Sequence, residues 1–175
     1  ISMGGTFQRL INQGHNVHVA YETSGCIAVC DEEVVRFMDF MKGYKLMHLP
    51  EDQVIEKKYD EYMNFFHNEK VGDNDTREIL NLKALIRRGE ATAACRYMGL
   101  PTDHIHFLNL PFYETGTIKK GPLSQADVDI VKALLEEVKP QEIFAAGDLA
   151  DPHGTHRVCL DAVLAALDEL KHTAA

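Results

Sequence analysis

The chain has no CxxC pair among its four cysteines, no apolar run near the roughly 20 residues a membrane span needs, and no excess of positive charge. Each absence removes a class of function. Cys26, Cys30, Cys95 and Cys159 are scattered through a chain too large to need disulfide staples, so they read as reduced thiols of a cytoplasm-like compartment. Cys26 and Cys30 flank a short apolar run and, with His15 or His18, imitate a metal site; small buried cysteines are the plainer reading. With no span and no charged-then-apolar leader, the protein is expected to be soluble, cytoplasmic and free of membrane partners. Eighteen Lys and Arg against 27 Asp and Glu give a net charge of -9, which repels phosphate backbones, so nucleic acid is not an expected partner. No G-x-G-x-x-G follows a strand, which argues against a nucleotide-binding oxidoreductase despite the Gly4-Gly5 helix start.

What is present fits one ordinary globular domain over residues 1–175, with 45% hydrophobic and 26% charged residues. Phe7, Leu10 and Ile11 repeat at helical spacing, Gly14 stops that helix, and 16–21 alternates as a strand. An acidic first turn, Asp31-Glu32-Glu33, opens a helix over 31–43. Residues 51–70 are charged with interspersed aromatics, and 75–98 is strongly helical, ended by Gly99 and Pro101. A strand at 105–110 is stopped by Pro111, and Ser124 with Asp127 forms a capping box for a helix through Glu137. Residues 142–147 read as a short buried strand, followed by a long amphipathic helix.

This alternation predicts an α/β protein with a mainly parallel sheet covered on both faces, and such sheets place their sites beyond the carboxyl ends of the strands. At that edge, after the strand expected at 142–147, stands Asp151-Pro152-His153-Gly154-Thr155-His156-Arg157. Histidines at i and i+3 share one helical face, so His153 and His156 can turn into one pocket, one binding a divalent metal and the other handling a proton. Asp151 either orients an imidazole or N-caps the helix.

Gly4-Gly5 in a first helix, Arg87-x-x-Glu90-Ala91 in a helix ending at Met98-Gly99, and Asp151-Pro152-His153-x-x-His156-Arg157 stand in the order and spacing of the PIG-L/LmbE-like family. Over essentially its whole length the chain resembles these metal-dependent N-acetylglucosaminyl deacetylases, most closely the version attached to a glucosamine-6-phosphate deaminase-like domain. The resemblance implies a Rossmann-like three-layer α/β/α fold, a zinc ion or another divalent metal, and a small amino-sugar substrate. It makes His156 a zinc ligand, His153 the imidazole that stabilises the oxyanion or protonates the leaving amine, and Arg87 an organiser of the pocket and its acetate product. Family members begin with a strand and a His-Pro-Asp-Asp motif before the Gly-Gly helix. This sequence opens directly on the helix, so the first strand is expected to be missing, the metal weakly held by this stretch alone, and the chain an excerpt of a longer polypeptide.

Two departures stand out. Gly154-Thr155 replaces the family's Pro-Asp between the histidines, removing a supporting carboxylate, and Phe112-Tyr113 replaces an acidic residue after the Leu-Pro strand end. They motivate an alternative, a non-catalytic sugar-binding or assembly module of a larger amino-sugar-metabolising protein, and a homo-oligomer is compatible with either. His104 and His106 alternate along a strand and face one side in structural or surface roles, while Lys119 and Lys120 read as an exposed loop.

Overall fold

Local signals set most element boundaries, as the computed structural model shows for residues 3–70, 72–146, 150 and 154–173. In chain order these are α1 (Gly4–Asn12), β1 (Val19–Tyr21), α2 (Asp31–His48), α3 (Val54–Asn68), α4 (Arg77–Tyr97), β2 (Ile105–Phe107), α5 (Gln125–Val138) and α6 (Thr155–Thr173). Short 3-10 turns at Cys26–Ala28 and Thr102–His104 complete the set. The chain divides into two units, one of residues 1–24, 90–115 and 119–175, the other of residues 25–89 and 116–118.

In the first unit β1 and β2 pair in parallel, with Val19 opposite Ile105, Ala20 opposite His106 and Tyr21 opposite Phe107. The ladder continues past the strand ends, where Leu108 N–H donates to the Tyr21 carbonyl and Leu110 N–H to the Glu22 carbonyl. Alternation sends Val17, Val19, Tyr21 and Ile105 to one face, where they pack on Phe7, Cys95 and Leu100. The opposite face carries His18, Ala20, His104 and His106. Helices α5 and α6 pack together, with Val128, Val131, Cys159, Ala162 and Ala166 buried.

The Ser124–Asp127 capping box forms as the sequence predicts. Asp127 is fully buried and its two oxygens accept from the Phe112 and Ser124 amides, each at 2.9 Å, so one carboxylate both starts α5 and fastens the loop after β2. Phe112 and Tyr113, which stand where the family carries an acidic residue, are 2% and 6% exposed.

In the second unit Val29, Val34, Met38, Tyr62, Ile79 and Ile86 form a core between helices. Lys83 lies among these apolar positions of α4 and is 5% exposed.

Three expectations are corrected. Helix α2 runs on to His48, because 44–48 keep helical propensity and no Gly or Pro stops them. Cys30 is exposed instead of buried, standing just before α2. Residues 142–146 form no strand, and Ile143 and Phe144 are 40% and 52% exposed. Apolar, β-branched sequence is not sufficient there: a strand persists only where neighbouring backbone takes its hydrogen bonds, and among the described residues the sheet holds β1 and β2 alone. The described chain is thus mixed α/β, mostly helical, around a short parallel sheet.

Candidate functional site

Gly154 enters α6 with φ +68, and its carbonyl accepts from the Val158 amide at 3.1 Å, the first hydrogen bond of the helix. A Cβ residue is strained at that φ, which accounts for glycine at the second place of the His-Gly-Thr-His run. The turn sets His156 in the first turn of α6, exposed, with Arg157 beside it and Cys159 buried one turn further along. Asp151 and His153 lie outside the described residues, so the expected pairing of His153 with His156 is not described.

Arg87 lies on α4 in the second unit and is exposed. Its guanidinium crosses Gly25, where a Cβ would stand 3.4 Å from Arg87 Nε. Gly25, at φ +67, turns the chain into the Cys26–Ala28 turn. A side chain there would combine backbone strain with a tight contact against Arg87.

Sequence reasoning missed Glu22, the residue after β1 at the carboxyl edge of the sheet. Its Oε1 is buried, with no hydrogen-bond partner among the described residues. Burial pushes the carboxyl up to about 7, against a smaller lowering by a hydrogen bond with Cys159, one turn along α6 from His156. The one available signal was a lone carboxylate ending an apolar alternating run. Nearby, Glu114 accepts from the Ser24 amide at 2.9 Å, tying the segments that follow the two strands.

Because the carboxyl of Glu22 holds its proton more tightly folded than unfolded, stability is greatest below the unfolded value near 4.5 and declines as pH rises towards about 7. Glu22→Gln removes that decline. Melting curves across this range should show the variant more stable than the parent by about 2 kcal/mol at pH 8 and nearly equal to it at pH 4, the full shift being discounted for the group's partial exposure. Parallel curves at every pH contradict this.

Among the described residues, the one group of three metal-type ligands within mutual reach is Asp31, Glu69 and Asp75, their ligand atoms within 4.8 Å of one another. A cation already serves two of them: Lys83 Nζ is 2.7 Å from both Asp31 Oδ1 and Asp75 Oδ2. Burial alone lowers the lysine's proton affinity, but hydrogen bonds with Asp31 and Asp75 outweigh it and hold the ammonium above its usual value. Burial, then the charges of Asp31 and Asp75, raise Glu69. This is an ion cluster of the helical unit in which one ammonium bridges two of three carboxylates, and it contains none of the expected site residues.

The family model for PIG-L, described as GlcNAc-PI de-N-acetylase, matches residues 1–167. A protein of Bacteroides thetaiotaomicron, provisionally named a glucosamine-6-phosphate deaminase-like protein, is 62% identical over 169 residues. That match covers 96% of this chain and 26% of the relative, so the chain spans about a quarter of that protein's length. No solved structure gives a significant match.

Proposed function

We propose, on the premise that this chain belongs to the PIG-L family, that it is the hydrolytic domain of a metal-dependent deacetylase acting on an N-acetylglucosamine-type sugar. The family match over residues 1–167 carries this reading. Residues 1–175 then form one domain of Rossmann-like, three-layer α/β/α design. No helix among the described residues is long and apolar enough to cross a membrane, and we place the protein in the cytoplasm, compatible with a homo-oligomer.

The donor chemistry suits zinc or a similar ion. His156 offers an imidazole at the start of α6, and Glu22, in the same unit, has a buried carboxylate oxygen with no partner among the described residues. The proposal assigns the remaining ligands to groups outside the described residues. Zinc, when bound, supplies Lewis acidity towards an amide carbonyl and its attacking water. His156 would hold the ion, and His153 would stabilise the developing oxyanion or give a proton to the departing amine nitrogen, a role worth about two to four orders of magnitude in rate. Asp151 orients an imidazole by accepting its N–H, and Arg87 binds the acetate released.

The test uses the full-length natural protein: metal analysis with assay of acetate release from N-acetylated amino sugars. Bound divalent metal and stoichiometric acetate are expected. A metal-free, inert protein contradicts the proposal and leaves the alternative of a sugar-binding or assembly module, which the Gly154-Thr155 and Phe112-Tyr113 departures favour.

A further inference from the structure

The sheet face opposite the core carries a histidine cluster at the amino ends of the strands, the end away from Glu22. His18 precedes β1 and His104 precedes β2, level with each other in the parallel register; His106 is opposite Ala20. Ala20 is too small to fill its place on that face, so the His18 ring leans along the strand to His106. His18 Nδ1 and His106 Nε2 are 3.0 Å apart. The His18 ring also stacks on His104, centroids 4.0 Å apart and planes within 13°.

Hydrogen-bond accounting fixes the His104 tautomer. The Val17 carbonyl can only accept, so His104 Nδ1, 3.0 Å away, carries the proton and donates it. Between His18 and His106, one ring nitrogen donates and the other accepts, so the pair shares a single proton. Two imidazole nitrogens converging in this way are the donor pair a borderline divalent ion takes. Around a tetrahedral ion with bonds of about 2.0–2.1 Å, two nitrogens lie roughly 3.3 Å apart, so an opening of a few tenths of an ångström, with each ring turned by roughly 35° and the shared proton released, admits one.

We propose that His18 and His106 form a binding site for a divalent transition-metal ion of the copper or zinc class, with His104 as the positioning residue that holds the His18 ring. The remaining coordination positions are open to water. With two imidazoles as its proposed side-chain donors, the site disfavours magnesium and calcium, and Cu2+ binds most tightly of the divalent series. The inference is independent of the hydrolytic reading, which concerns the carboxyl edge and His156.

Titrating Cu2+ into the full chain near neutral pH, followed by electron paramagnetic resonance, should show coupling to two imidazole nitrogens. His18→Gln and His106→Gln should each weaken that species at least about tenfold, and His156→Ala should leave it unchanged. Because a variant can lose its fold, a second measurement uses the unaltered protein: Zn2+ should shift the ring resonances of His18 and His106 in nuclear magnetic resonance spectra. Unmoved ring resonances, or copper coupling that disappears in His156→Ala and persists in both glutamine variants, overturn the proposal.

Discussion

His156→Ala in the full-length protein should lower kcat/KM for an N-acetylated amino sugar by about 10³-fold or more, equivalent to about 4 kcal/mol of transition-state stabilisation. Alanine leaves the helix intact, since position 156 is exposed and α6 is anchored by Cys159, Ala162 and Ala166. On the proposed reading it removes an imidazole ligand where the Gly154 turn delivers α6, and a zinc site that loses one of three protein ligands would lose both affinity and the position in which its charge acts. Metal content should therefore fall together with activity, while the melting temperature of the metal-free protein stays within a degree or two. Parent-like activity in the variant would remove His156 from the reaction.

A comparable effect, on stability, is expected at Lys83. Its ammonium is almost wholly buried and bridges Asp31 and Asp75, with Glu69 close by. Lys83→Ala leaves carboxylates crowded without their counter-charge, a change that costs about 3–5 kcal/mol when the partners are buried. Asp75 is 14% exposed but Asp31 is 42% exposed, which places the loss near the lower end, about 3 kcal/mol. For a chain of this size that corresponds to a drop of roughly 6–12 °C in Tm.

The pH dependence separates this cause from simple cavity formation. In the parent the raised lysine contributes stability that is complete below the ordinary lysine value of 10.5 and is lost only as pH rises beyond it. In the variant the crowded carboxylates bind protons more tightly folded than unfolded, so the deficit shrinks as pH falls through about 4. Thermal unfolding at pH 4 and pH 7 measures this, and a deficit equal at both values contradicts the charge argument.

How much of this was legible in the sequence follows from the range of the interactions involved. The capping box of α5 needs three consecutive peptide units, and Ser124 with Asp127 announces it. The acidic start of α2 and the Gly99 stop of α4 are equally local. The expected strand at 142–147 fails in the described residues because strand formation depends on a neighbour that no local pattern supplies. Lys83 looks like a solvated position of a charged helix, and its burial depends on Asp31, 52 positions earlier, and Asp75. His18 and His106 become a pair only through strand register across 88 residues. Of the expected site, His156 and Arg87 are located, on α6 and α4 respectively, whereas Asp151 and His153 lie outside the described residues. Glu22 escaped notice because its character comes from burial beside Cys159, a helix 137 positions away.

The most direct measurement is anomalous X-ray diffraction at the zinc edge from crystals of the full-length protein. The account predicts a peak about 2.0–2.1 Å from a ring nitrogen of His156, with His153 facing the same cavity. A metal peak elsewhere with His156 directed to bulk solvent, or the two imidazoles on opposite sides of α6, would contradict it.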